Sequence, residues 1–236
     1  MESVTEIHFR GTPEEVNRQW HEQRDNGIGG SDVSSILGAN RYKSAVALWE
    51  EKTHRVKPED LSHKPAIMLG NAMEPVLRGE YAYRHPDVEV TEPDYMLQAN
   101  GKPWRQASLD GVLTYQDGHH EVLEIKTVGA FSCAAWDDGL VPINYCMQVL
   151  HYLAVTGYPR AQLIALIGNQ SIIERTVQRD EEAIAAIEEQ VDRFWTRCVE
   201  ADKMPMPRTL DPDFEELIES LCYDPLAAPV LERYDQ

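Results

Sequence analysis

The chain has 236 residues, of which 42% are hydrophobic, and a formal net charge of −18. This length and apolar content suffice for one large buried core, so we expect a single domain over 1–203 and an acidic, proline-punctuated extension over 204–236. Such a negative charge is unusual for a nucleic-acid-binding protein, but 16 acidic and only 5 basic residues lie in 180–236, so the acidity is largely C-terminal.

The first 84 residues are predicted to be mainly helical. Thr12 followed by Pro13 is a capping residue before a favourable first helical position, and the glycines of 27–30 end the helix that starts there. Pro75 lies inside the last predicted helix, where we expect a kink or a restart. The predicted helices span 12–24, 31–37, 44–52 and 66–84.

Strands alternate with helices from there to about residue 200. Short runs rich in β-branched and aromatic residues, separated by turn residues, predict strands, whereas wider apolar spacing predicts helices. The order of these elements indicates an α/β fold in which helices flank a sheet. Strands are expected at 88–97, 107–115, 121–127, 161–168 and 172–178, and helices at 142–156 and from Asp180 onward.

Asp110, Glu124 and Lys126 carry the strongest chemical signal in the chain. Side chains alternate along a strand, so Glu124 and Lys126 point to one face of the strand at 121–127. The Asp-Gly turn signal at Asp117 predicts a hairpin that brings Asp110 beside Glu124. Carboxylates suit Mg²⁺ and Mn²⁺, and a nearby lysine can move a proton or stabilise a phosphate. The pattern predicts metal-dependent phosphodiester hydrolysis; a hairpin with solvated charges is the alternative.

Three further segments accompany this pattern. They are Arg24-Asp25-Asn26-Gly27-Ile28-Gly29-Gly30-Ser31-Asp32, Leu69-Gly70-Asn71-Ala72-Met73-Glu74-Pro75 and Tyr145-Cys146-Met147-Gln148-Val149-Leu150-His151-Tyr152. In this order and spacing they resemble the lambda-exonuclease and YqaJ-type viral recombinase family, phage alkaline exonucleases of the PD-(D/E)xK, or restriction-endonuclease-like, superfamily. The resemblance covers about 24–195 and implies a nuclease domain with a central mixed β-sheet flanked by helices. Leu109 stands where the usual proline of the family precedes the aspartate.

The resemblance implies a metal site and a catalytic lysine. Asp110 and Glu124 match the metal ligands, and the carbonyl oxygen of Ile125 is a further ligand. Glu74 matches a carboxylate that a helix contributes to the same site, and Lys126 matches the catalytic lysine. From the residues alone, Glu74 reads as a solvent-facing carboxylate on an apolar helix.

The resemblance also implies a 5′-phosphate pocket at the glycine-rich turn. Arg24 and Ser31 flank this turn, and backbone N–H groups at a helix start, including that of Gly30, bind phosphate well. An ordinary glycine-rich loop with a serine helix cap is the alternative. Gln148 matches a catalytic-site residue. Tyr145 shares a helix face with Gln148 and is implied to contact DNA. A row of tyrosine and valine side chains along one helix face also occurs in hydrophobic cores.

The implied activity is Mg²⁺-dependent 5′-to-3′ exonuclease action on double-stranded DNA ends, with one or two ions per active site and Mn²⁺ able to substitute. It releases 5′-mononucleotides and leaves a 3′ single-stranded tail for an annealing protein in phage recombination. The family also implies a ring-shaped homotrimer. The alternatives are an endonuclease of the same fold, including a Cas4-like nuclease, and a non-catalytic nuclease-fold DNA-binding protein. The intact residues Asp110, Glu124 and Lys126 argue against the non-catalytic alternative.

Composition also bears on location and cofactors. The sequence contains no run of about 18 apolar residues, which a membrane span would require, and the first residues lack the pattern of a signal peptide. The four cysteines are scattered without a Cys-x-x-Cys spacing, so zinc or an iron–sulfur cluster is not indicated. We therefore expect reduced thiols and a cytoplasmic location in a bacterial host cell.

Overall fold

The structure, a computed structural model, describes residues 4–224. Its strands are β1 (Val4–His8), β2 (Glu89–Thr91), β3 (Tyr95–Ala99), β4 (Gln106–Ala107), β5 (Gly111–Thr114), β6 (His120–Val128), β7 (Arg160–Ile167) and β8 (Ser171–Gln178). Its α-helices are α1 (Pro13–Asp25), α2 (Gly30–Ile36), α3 (Ala45–Lys52), α4 (Pro65–Arg84), α5 (Ile143–Thr156), α6 (Glu181–Phe194) and α7 (Pro212–Leu221). None of the helices in this range is long and apolar enough to cross a membrane.

A five-stranded mixed sheet in the order β2-β5-β6-β7-β8 forms the centre of the fold. Only the β6–β7 pair is parallel, because α5 crosses over between these two strands, whereas the other pairs are antiparallel. A smaller antiparallel sheet in the order β1-β3-β4 lies beside it. The predicted α/β class with a mixed sheet flanked by helices is confirmed.

Strand β6 separates two hydrophobic clusters because its side chains alternate between faces. Leu123 and Ile125 belong to the cluster that contains Leu77 and Tyr81 of α4. Val122 and Val128 belong to the larger cluster formed mainly with α5 and α6. Glu124 and Lys126 share the α5 side of the strand and are therefore placed against that helix.

Two of the predicted strands are each divided in the structure. The run 88–97 forms β2 and β3, which belong to different sheets, because Glu92-Pro93-Asp94 is a turn-forming segment between them. The run 107–115 is likewise split into β4 and β5, and Asp110 lies in the connection. Strand β1 was not predicted, and α4 continues as one helix through Pro75, so no restart occurs there.

The chain beyond Lys203 packs against the rest of the domain. Helix α7 contacts α5 and α6, and Ile218 is fully buried in the larger hydrophobic cluster. Cys222, just after α7, forms a disulfide with Cys146 of α5. The expectation that all four cysteines are reduced is therefore not met by this pair, whose positions are 76 residues apart in the sequence and gave no spacing signal.

Candidate active site

Asp110 and Glu124 face each other across the β5–β6 pair. Gly111 lies opposite Leu123 in this antiparallel register, so the next residues outward, Asp110 and Glu124, are cross-strand neighbours. The backbone N–H of Ile125 donates to Asp110 Oδ2 at 2.8 Å and holds this carboxylate at the end of the sheet. The predicted hairpin does bring the two acidic residues together.

Lys126 and Gln148 complete a compact polar cluster around Glu124. Lys126 Nζ forms an ion pair with Glu124 Oε1 and donates to Gln148 Oε1 at 3.3 Å. Gln148 Nε2 in turn donates to Glu124 Oε1 at 2.7 Å. The ammonium group also lies 4.8 Å from the ring centroid of Tyr145, within reach of a cation–π interaction. Glu124, Lys126 and Gln148, which were predicted to be catalytic residues, are therefore in contact, and Tyr145 lies beside the lysine.

Helix α5 supplies a tyrosine that was not among the predicted site residues. Tyr152 lies one turn after Gln148, and its hydroxyl accepts a hydrogen bond from Gln148 Nε2 at 3.1 Å. This bond and the bond to Glu124 use both N–H groups of the amide and fix its orientation. The spacing of four residues was the available signal, but an aromatic residue at this spacing reads equally well as core.

Burial controls the ionisation of the carboxylates. The pKa of Glu124 is raised to about 8, first by burial and second by the negative charge of Asp110. The pKa of Asp110 is raised, again chiefly by burial. Burial alone would lower the pKa of Lys126, but Glu124 and Asp110 raise it, so the lysine remains a cation. Several shifted pKa values within one cluster are typical of functional sites.

The donor atoms fit a divalent cation. Glu124 Oε2 is buried and has no hydrogen-bond partner, which leaves a carboxylate oxygen available to a ligand. Within residues 4–224, no three His, Cys, Asp or Glu side chains converge as a complete metal site. Mg²⁺ commonly binds through one or two carboxylates together with water and substrate phosphate oxygens, so Asp110 and Glu124 suffice for its protein ligands.

Glu74 approaches the same cluster from α4 but has a different partner. It forms an ion pair with Arg78 at 2.7 Å, and Arg78 Nε donates to the backbone oxygen of Asp110 at 2.8 Å. Burial and then the charge of Asp110 raise the pKa of Glu74. Arg78 was missed in the sequence, although its position four residues after Glu74 is that of a helical ion pair.

The glycine-rich turn holds Arg24 beside the start of α2. Arg24 Nη2 donates to Ser31 Oγ at 3.2 Å, and Nη1 forms an ion pair with Asp32 Oδ2 at 2.6 Å. The predicted pair of Arg24 and Ser31 is therefore brought together. Asp32 was quoted in the motif but was not among the predicted site residues.

Gly30 joins this turn to the polar cluster on α5. A Cβ atom at Gly30 would lie 2.7 Å from the ring of Tyr152 and 2.8 Å from Cγ of Gln148, so only glycine allows this approach. Gln148 and Tyr152 therefore lie between the turn that carries Arg24 and the cluster around Glu124. A phosphate beside Arg24 and a metal ion beside Glu124 would bind on adjoining surfaces.

Metal-free protein is expected to lose stability with rising pH because Glu124 ionises in a buried place. Its carboxyl ordinarily titrates at 4.5 and here at about 8. Between these values the unfolded chain has lost the proton and the folded chain has kept it, so the free energy of unfolding falls as pH rises. We expect Glu124→Gln to be more stable than wild type at pH 8.5 in EDTA and to lose this advantage at pH 4.5. Urea unfolding at both pH values measures it; an unchanged difference contradicts the assignment.

Two proteins share sequence with this chain. The chain is 32% identical to protein YqaJ of Bacillus subtilis over 189 residues, which are 79% of the chain and 58% of the relative, so it matches little more than half of that protein. A segment of 55 residues, 23% of the chain and 16% of the relative, is 40% identical to protein D345L of African swine fever virus.

Solved structures show the same fold. An alkaline exonuclease from Laribacter hongkongensis superimposes with a TM-score of 0.64 at 20% identity, over 78% of the chain and 93% of the enzyme. Its complex with dAMP gives a TM-score of 0.65 at 21% identity, with the same coverage. The model of the YqaJ-like viral recombinase domain matches residues 19–159, a range that contains every predicted site residue. The chain belongs to the YqaJ-like viral recombinase domain family.

Proposed function

We propose that the protein is a metal-dependent deoxyribonuclease that degrades one strand of duplex DNA from its 5′ end. It releases 5′-mononucleotides and leaves a 3′ single-stranded tail. The observation that carries this proposal is the cluster of Asp110, Glu124 and Lys126, with Glu124 Oε2 buried and unpartnered. Membership of a viral recombinase family supports a role in recombination.

Asp110 and Glu124 would hold one or two Mg²⁺ ions, or Mn²⁺ in their place, with the carbonyl oxygen of Ile125 and the Glu74 carboxylate as further proposed ligands. When bound, the metal supplies positive charge to the phosphate and makes a water molecule more acidic. Glu124 gives up a proton as it binds the metal, which favours alkaline pH because burial raises the pKa of Glu124 to about 8.

Lys126 places a positive charge where the phosphate acquires negative charge. Its ammonium group already contacts the oxygens of Glu124 and Gln148, so it can turn toward a phosphate oxygen or a water without leaving the cluster. Gln148 keeps Glu124 oriented through its amide hydrogen bond. Tyr145 lies over Lys126 and is proposed to contact the DNA strand as well.

The selection of 5′ ends is proposed to reside in Arg24, Ser31 and the backbone of Gly30. A terminal monoester phosphate carries more negative charge than an internal diester, so a cationic pocket beside the cleavage site favours it. Gly29 lies against Arg24 and the adjacent Gly30 lies against Gln148, which would link end binding to the site of hydrolysis.

The proposal extends to partners. A single-strand annealing protein would bind the 3′ tail, and three copies of the chain would form a ring around the duplex, in the cytoplasm of a bacterial host. Because the net charge is −18, binding of DNA would depend on local basic residues such as Arg24 and Lys126 rather than on attraction to the whole molecule.

The test compares linear duplex DNA with covalently closed circular duplex, each with Mg²⁺ or with EDTA. We expect 5′-phosphorylated linear DNA to be degraded to mononucleotides only with Mg²⁺, and circular DNA to remain intact. End labels on either strand report the direction. Cleavage of the circle would identify an endonuclease of the same fold, and no metal-dependent cleavage of either would favour a DNA-binding protein.

A further inference from the structure

Two buried residues of opposite charge contact Arg24: Lys52 binds its backbone oxygen, and Asp32 binds its guanidinium group. Lys52, at the end of α3, donates from Nζ to the backbone oxygen of Arg24 at 2.6 Å. Asp32, on α2, accepts from Arg24 Nη1 at 2.6 Å. The carbonyl of Arg24 is one of the unpaired groups at the end of α1, so the lysine satisfies a helix end as it anchors the arginine.

The carboxylate of Asp32 joins these elements. It is 8% exposed, accepts the N–H of Gly29 at 3.2 Å and lies 3.7 Å from Lys52 Nζ. Burial alone would raise the pKa of Asp32, but Arg24 and Lys52 lower it to about 2, so it is ionised at every working pH. Burial lowers the pKa of Lys52 to about 8, so at neutral pH this one anion lies between two cations.

The backbone of Gly29 packs against the guanidinium group of Arg24. A Cβ atom at Gly29 would lie 2.7 Å from Arg24 Cζ, so the guanidinium group lies directly against the glycine backbone. Its contacts to Asp32 and Ser31 occupy two of five N–H groups, and three remain for an anion. A long, flexible side chain is thereby fixed with donors still available.

We propose that Asp32 and Lys52 are positioning residues that set the preference for a 5′-phosphate by ordering Arg24 before DNA binds; this rests on the proposed exonuclease function. Binding to a preordered side chain does not incur the entropy loss of ordering it. The fixed guanidinium of Arg24 favours a dianionic terminal phosphate over a 5′-hydroxyl. A purely structural role for the cluster would instead affect both kinds of end equally.

The test measures the ratio of 5′-phosphorylated to 5′-hydroxyl duplex in two assays. Fluorescence anisotropy in EDTA gives the ratio of affinities, and hydrolysis with Mg²⁺ gives the ratio of kcat/KM. We expect Asp32→Asn and Lys52→Met each to lower both ratios by about tenfold, which corresponds to the loss of one charge-assisted contact. Arg24→Ala defines complete loss, and Asp87→Asn, the same charge change at an exposed aspartate between α4 and β2, is expected to retain the wild-type ratios.

The outcomes separate this inference from the function beneath it. A wild-type ratio retained by folded Asp32→Asn and Lys52→Met overturns the positioning role, as does an equal loss on both kinds of end. Metal-dependent hydrolysis by wild type without a 5′-phosphate preference also overturns it and leaves the nuclease activity standing. Absence of any hydrolysis by wild type contradicts the proposed function itself.

Discussion

Replacing Lys126 by alanine is expected to slow hydrolysis of 5′-phosphorylated linear duplex by about a hundredfold to ten-thousandfold, the range typical for loss of a positioned catalytic group. The lysine is the cation in direct contact with Glu124, and its partly buried side chain lies beside the ring of Tyr145. Its removal takes positive charge away from the place where the phosphate would be attacked. Initial rates with Mg²⁺ at saturating DNA measure the effect.

The controls distinguish a catalytic effect from unfolding. Lys57→Ala removes an exposed lysine in the polar loop between α3 and α4 and is expected to retain wild-type rates. Glu124→Gln and Asp110→Asn remove the proposed metal ligands and should abolish both hydrolysis and Mn²⁺ binding by calorimetry. Near-normal turnover by folded Lys126→Ala would contradict the catalytic assignment of this residue.

Replacing Ile218 by alanine is expected to reduce the free energy of unfolding by about 2–5 kcal/mol, the usual range for a buried large-to-small substitution. Ile218 is fully buried, and Phe214 and Leu217 of the same helix pack partly buried against the same cluster. The acidic composition of this region had suggested an extension outside the core. Urea unfolding of the variant and of wild type measures the difference.

A matched change on the exposed face of the same helix provides the comparison. Glu219→Ala is expected to alter stability by no more than about 0.5 kcal/mol, since the side chain faces solvent. Truncation before Pro207 removes the whole of α7 and should destabilise the domain more than Ile218→Ala does. A truncated protein as stable as wild type would show that the division at Lys203 is a true domain boundary.

Local patterns were enough to place several elements and the centre of the site. The Thr12-Pro13 signal predicted the start of α1, and the capping box at Thr12 and Glu15 is present. Alternation along 121–127 put Glu124 and Lys126 on one face, and the turn at Asp117 paired Asp110 with Glu124. Each of these features depends on residues within about fifteen positions of one another.

Contacts between distant elements escaped such reasoning. Lys52 and Asp32 meet Arg24 only because α1, α2 and α3 pack together, and no spacing rule links three helices. The burial of Ile218 and the pairing of Cys146 with Cys222 depend in the same way on where α7 lies against α5. The composition of this region predicts only an acidic, proline-punctuated C-terminal extension.

Local sequence was sufficient to predict which groups meet at the candidate site: alternation places Glu124 and Lys126 on one strand face, and a turn brings Asp110 beside them. The motifs that mark the family are local as well. The environment of these groups depends on the packing of distant elements. This packing places Gln148 in hydrogen-bonding contact with Glu124 and Tyr152, and it brings Gly30 against Gln148 and Tyr152. Alternation follows from backbone geometry that each residue carries with it, whereas burial and pKa shifts arise only when distant segments exclude water together.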